Sequence, residues 1–363
     1  MKLVTFILAI SAASLLGETV LHVVAGRLVQ TEIPEKVAAR MTDKWTIVVS
    51  SPEVLEELGA DSAEVLHKAA WMFPSKSGNN RFRNGTVRLQ NGIYEISRPI
   101  TWPGRTNLIG GGSSIFDSGT RLSYVGEQTD QPLIKVLAAN KRGHWNSNFS
   151  QNFRDFALHC NEECSGLMWG GAHSSEIKTV RVKSPVKNGY GIWVRKGSNS
   201  VALRDVQVWC AGDRGGQRPV EERNTITSFR FDSFTHGAVE ACKAEQGGIG
   251  YEMNNGSWVF SLCYSEANLR TLVKRGNQGY ISGTIVIHAA QVDPEWSKRI
   301  YYEFETPRSW GEFAGQARDS WEGGYLSKKL DDNDKWQPAY TELVGPKINQ
   351  HHIPYHFDLN PKK

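Results

Sequence analysis

The sequence predicts an all-β protein wound as a parallel β-helix. Three observations carry that prediction. Cys242-x-x-Glu245 recurs as Cys263-x-x-Glu266, each residue 21 positions on. The segments "FRDFALHC" from 153, "IKTVRVKS" from 177 and "LRDVQVWC" from 203 align without gaps, at offsets of 24 and then 26. Between them, "GLMW" at 166, "GIWV" at 191, "SFRF" at 228 and "GIGY" at 248 alternate with period two, where helices would need apolar residues at threes and fours. A unit of this length cannot bury its own apolar face, but stacked units form a continuous core, with neighbouring rungs ~4.8 Å apart. The alternative is a β-sandwich, which needs hairpin turns. "NNGS" at 254 is the one good Asn-Gly example in the repeat region.

The elements follow in chain order. Lys2 precedes an apolar run from Leu3 to Ile10 and the small residues Ser11 to Ser14, so residues 1–17 read as a signal peptide, the alternative being a buried N-terminal helix. The expected location is secreted or periplasmic. No later segment has ~18 unbroken apolar residues, so no stable membrane insertion is expected. Residues 18–84 form an N-terminal segment and cap, 85–300 the β-helix in about eight to ten coils, and 301–363 a C-terminal extension packed on it. In the aligned coils Phe153, Ile177 and Leu203 share one inward column, Phe156, Val180 and Val206 a second, and Leu158, Val182 and Val208 a third. Asp155, Thr179 and Asp205 fall at a corner.

Composition agrees with a large core and narrows the partners. The 363 residues are 39% hydrophobic and 22% charged, and 35 glycines and 12 tryptophans suit tight turns with a large core or sugar stacking. The net charge is only +4. Without a basic run, zinc-type spacing or phosphate-binding glycine loop, no nucleic-acid or nucleotide partner is expected. "HHIPYH" at 351 and "LDDND" at 330 lack the spacing of a metal site, so no metal ligands are assigned.

Five cysteines fit one or two disulfides with a thiol left over; the other reading is five small buried hydrophobes. Cys160-x-x-Glu163, Cys210-x-x-Asp213 and the two later pairs read as one corner of successive turns. The inward parity then fails at Cys242 and Cys263, and a bulge or register change near His236 and Gly237 is inferred. If Cys242 and Cys263 stack, they form either an inter-rung disulfide or two buried thiols.

"DSAEVLHKAA" at 61 and "GTVRLQNGIYEISRPITWPGRTNLIGGGSS" from 85 resemble the start of the pectate-lyase-type single-stranded right-handed β-helix superfamily. There a short helix caps the barrel, and a G-x-Y-x-I-x-x-P-I strand and an L-x-G-G-G corner open the coils. The chain departs from that pattern in lacking the usual Asp-Asp pair and in its long loop at 211–226. The resemblance implies a fold shared by polysaccharide lyases, glycoside hydrolases, epimerases and viral tailspikes, so it does not select an activity.

It also implies that the "G-I-x-V" strands carry the substrate cleft on their outer face. With Ile192, Val194, Phe229, Phe231, Ile249 and Tyr251 inward, the outward residues are Trp193 and Arg195, then Arg230 and Asp232, then Gly250 and Glu252. "TLVKRGN" offers Lys274 or Arg275 in the next rung. Asp232 and Glu252 are expected on adjacent rungs, close enough to perturb one another, with Arg195, Arg230 and Lys274 around them. Two carboxylates there suit acid and base or nucleophile roles, and a cation beside them suits removal of a uronate C5 proton. The alternative is an exposed charge ladder. Trp193 is a sugar-stacking candidate. His236, Glu245, Glu266 and Asp213 are expected to border the cleft, the two glutamates reading first as exposed loop acids and only second as catalysts. The expected function is cleavage of an extracellular, anionic polysaccharide by elimination or hydrolysis. A non-catalytic glycan-binding or spike-like module is the alternative.

Overall fold

The computed structural model describes residues 37–43, 45–73, 85–114, 118–137, 148–195, 197–212, 218–232, 235–254, 256–275 and 280–288. It also describes short strands at 9–10, 19–24, 27–32, 300–304, 310–317, 328–330, 336–338 and 353–357. The expected leader, apart from Ala9–Ile10, lies outside them. Among the described residues no helix is long and apolar enough to cross a membrane.

The chain is a parallel β-helix. Between residues 85 and 288 every ladder among the described residues is parallel, and successive turns of the chain supply neighbouring strands. The sandwich alternative therefore fails. The broad sheet takes two strands from each turn, joined at a corner: Asn199–Arg204 with Gln207–Trp209, then His236–Glu240 with Lys243–Glu245. The narrow sheet takes one, in the series Ser165–Trp169, Tyr190–Val194, Thr227–Phe231, Ile249–Asn254 and Arg270–Arg275. Parallel pairing carries on past residue 300, where Ile300–Phe304 lies on Arg270–Arg275.

The expected columns are present. Phe156 pairs with Val180 and Leu158 with Val182, which in turn pairs with Val208, and all of them are buried together with Val206. Burying such a side chain contributes about 1.5–3 kcal/mol, and the stack repeats that gain on every rung. At one end the helix Ser62–Trp71 closes the column with Ala63, Val65, Leu66, Ala69 and Ala70. Asp61 caps it, its Oδ1 accepting from the Glu64 amide at 2.6 Å.

The corners explain the cysteine pattern. Asp155, Thr179, Asp205, Ala241 and Leu262 all have positive φ, between 49° and 62°. A left-handed residue costs about 1–2 kcal/mol and turns the chain between the two strands of the broad sheet. Cys242 and Cys263 directly follow such a corner, in the column of Phe156, Val180 and Val206. Cys160 and Cys210 instead end the second strand, at the next corner. The cysteines therefore mark two corners rather than one. Pairing from Val201↔Gly237 to Arg204↔Glu240 is unbroken, so the inferred bulge near His236 and Gly237 is absent, and the phase changes at Ala241 and Leu262. The 21-residue repeat is one full turn, setting Lys243 on Tyr264 and Glu245 on Glu266.

No disulfide forms. Cys160, Cys164, Cys210, Cys242 and Cys263 are free and buried. Burial pushes the Cys263 thiol up to about 12 and that of Cys242 well above its ordinary value, so both sulfurs pack as neutral apolar groups.

Candidate functional site

Three outward residues on adjacent turns of the narrow sheet form the centre of the site. Trp193 pairs with Arg230, and Arg230 with Glu252. Their strand neighbours Ile192, Val194, Phe229, Phe231, Tyr251 and Met253 fill the core, and alternation turns the intervening side chains outward. The Arg230 and Arg195 guanidinium carbons lie 4.8 and 5.2 Å from the Trp193 ring centre. Tyr190 meets that ring edge-on at 5.1 Å. Cation–π contacts of this kind contribute about 0.5–1 kcal/mol each when exposed, and more when desolvated. Arg195 is exposed and has no ion pair among the described residues, so its charge faces solvent on a side chain already held against an indole.

The expected carboxylate pair is not set directly across one rung. Glu252 is 6% exposed, accepts from Thr227 Oγ1 at 3.4 Å, and lies 3.9 Å from Arg230 Nε. Asp232 is on the adjacent turn but two residues further along. The pairing Arg230↔Glu252 and Phe231↔Met253 sets it level with Asn254, about 8 Å from Glu252 by backbone spacing. Its amide donates to Val194 O at 2.9 Å. The rung partner of Glu252 is thus a cation, and Asp232 stands off to one side.

Lys274 belongs to the inward phase rather than the cleft. It pairs with Met253 and is fully buried, and desolvation pulls its pKa to about 8. Val273 takes the outward position opposite Glu252. His236 is exposed, but on the broad sheet beside Ser257, away from Trp193. Asp213 lies outside the described residues.

Glu245 and Glu266 are also on the broad sheet, around a corner from Trp193, and they make a second constellation. The outward column runs Lys183, Trp209, Glu245, Glu266 on successive turns. Lys183 Nζ stands 5.5 Å from the Trp209 ring centre, Gln207 Nε2 donates to Glu245 Oε1 at 3.0 Å, and Tyr264 OH donates to Glu266 Oε2 at 2.9 Å. Desolvation, and to a lesser degree the Glu266 carboxylate, raise the pKa of Glu245 above its ordinary 4.5, against the lowering pull of Gln207. Folding therefore tightens proton binding at Glu245, and stability falls as pH rises through the raised folded value. Glu245→Gln removes that penalty. Its melting temperature should exceed the parent's at about pH 8 by on the order of 2 °C and match it at about pH 3, where the parent carboxyl is protonated in both states. An equal shift at both pH values would show that the carboxylate is not the cause.

Sequence reading does not single out Tyr190, Gln207 or Trp209. Trp209 carried the clearest signal, as an aromatic in an outward position of an aligned strand.

No family model matches the chain, and no curated protein does. Among solved structures, the chain is similar to ORF18 of Geobacillus virus E2, at 12% identity over 89% of this chain and 71% of that one, with a TM-score of 0.39. It is also similar to the A-module of the mannuronan C-5 epimerase AlgE4 of Azotobacter vinelandii, at 12% identity over 76% of this chain and 93% of that one, with a TM-score of 0.35. Likeness at this level transfers neither activity nor ligand.

Proposed function

We propose that the chain is an exported β-helix that binds an anionic polysaccharide on the outer face of its narrow sheet. The supporting observation is Trp193 flanked by Arg195 and Arg230. Guanidinium groups present paired donors that match a carboxylate, and stacking on an indole restricts their rotamers, so less freedom is lost on binding. Export rests on the leader-like residues Lys2 to Ser14.

Calorimetry against polyuronates and neutral glucans at two salt concentrations tests this reading. Binding to polyuronates that weakens with salt is expected. Equal binding to neutral glucans, or none to either, sinks it.

Cleavage is the second reading, and Glu245 with Glu266 favour it over Asp232 with Glu252. A rung spacing of ~4.8 Å is near the about 5–5.5 Å between the carboxyls of retaining glycosidases, and a raised pKa suits the acid of such a pair. Reducing-end and unsaturated-product assays on the same panel detect it. Glu245→Gln and Glu266→Gln should each lower turnover about 10²- to 10⁴-fold with the fold intact. Undiminished product in both variants rules out this pair, and absence of product from the parent leaves the binding module.

A further inference from the structure

We propose that Arg218, supported by Arg223, forms an oxyanion site where Arg218 meets Pro185 of the preceding turn. Arg218 is 5% exposed. Its Nη1 donates to Pro185 O at 2.6 Å. The opposite edge of the guanidinium, Nε with Nη2, is buried and makes no hydrogen bond. Glu162 Oε1 comes within 3.4 Å of Nε without hydrogen-bond alignment, and the Glu162 side chain is itself 37% exposed. Arg223 is 2% exposed. Both cations pull on the Cys210 thiol, although burial dominates and raises it to about 11, so the two arginines converge on one region of the interior.

Charge makes this arrangement informative. A buried lysine can shed its proton, as the lowered pKa of Lys274 illustrates. Arginine cannot, because its pKa exceeds ~12. A buried guanidinium with an unmatched edge is therefore expensive until two acceptor oxygens meet it. The Nε and Nη2 donors point in parallel, and that geometry fits the paired oxygens of a carboxylate, phosphate or sulfate. Arg223 adds positive potential, and the exposed side of Glu162 marks the direction of entry. The competing occupant is Glu162 itself, rotated to close on the edge. This site is separate from the Trp193 face and does not depend on the glycan reading.

The test is thermal shift and calorimetry with sodium sulfate, sodium phosphate and monomeric glucuronate, against chloride at matched ionic strength. The proteins are the parent, Glu162→Gln, Arg218→Lys, Arg218→Met and Trp193→Ala. Sulfate or phosphate should raise the melting temperature where chloride does not. Glu162→Gln, freed of the competing carboxylate, should bind about threefold tighter or more. Arg218→Lys, which keeps the charge but loses the paired donors, should bind about tenfold more weakly. If Arg218→Met does not fold, the lysine variant carries the comparison. A glucuronate response equal to that of phosphate, retained in Trp193→Ala and weakened in Arg218→Lys, identifies a sugar carboxylate as the occupant, and a response to phosphate or sulfate alone identifies a free oxyanion. Absence of an anion-specific shift in Glu162→Gln, or undiminished binding by Arg218→Lys, overturns the site. Trp193→Ala should leave the sulfate and phosphate response unchanged, whereas any glucuronate bound at the glycan face is lost with it, so this site and the glycan face stand or fall separately.

Discussion

Phe229→Ala is expected to lower stability by about 3–5 kcal/mol. Phe229 is fully buried and stacks on Tyr251 of the next turn at 5.1 Å and 12°. Tyr251 meets Phe260 edge-on at 5.3 Å, and its hydroxyl lies 3.0 Å from the carbonyl oxygens of both Cys242 and Tyr264. One ring thus supports contacts between both sheets. The surroundings have little room to collapse: a Cβ added to nearby Gly191 would sit 2.3 Å from a Val208 methyl. Deleting the phenyl ring therefore leaves a cavity rather than a repacked core. Because a solenoid gains much of its stability between neighbouring turns, the loss should fall on the turns carrying Arg230 and Glu252. Denaturant unfolding of Phe229→Ala beside Phe229→Leu measures it, with the leucine variant expected to lose less. A loss below about 1 kcal/mol for the alanine variant would contradict the inward column.

Trp193→Ala is expected to weaken polyuronate binding about thirtyfold, the effect of removing an aromatic anchor contributing about 2 kcal/mol. The effect has two parts. The indole's own surface is lost, and Arg195 and Arg230 lose the ring that holds them. Trp193 is half-buried on the outer face, so the stability change should stay near 1 kcal/mol. Trp193→Phe keeps a ring and should recover part of the affinity. Unchanged affinity in Trp193→Ala, measured by calorimetry in low salt, would remove this face from consideration.

The fold was largely legible because its signals are local or translational. Alternation in "GIWV" and "SFRF" assigns Ile192, Val194, Phe229 and Phe231 to the interior, and the repeat supplies the stacking. The site was legible only in part. Trp193, Arg195, Arg230 and Glu252 were identified as outward, but the expected facing of Asp232 with Glu252 was not met, since adjacency between turns says nothing of the offset along the strand. Lys274 was misplaced because "TLVK" carries no clear alternation, and a lysine is ordinarily read as exposed.

By itself, the sequence determined the winding, the inward columns through Phe156 and Leu158, and the corner at Asp155, Thr179 and Asp205. Each depends on a residue's chemistry and its near neighbours, which the chain writes out in order. Only the tertiary structure decided that Ala241 and Leu262 are corners, that Glu252 faces Arg230, and that Arg218 is buried. Those outcomes come from contacts between residues one or more turns apart. A left-handed corner also resets the in-and-out phase of the strand after it, and an alanine or a leucine in that conformation leaves no mark in the pattern of hydropathy.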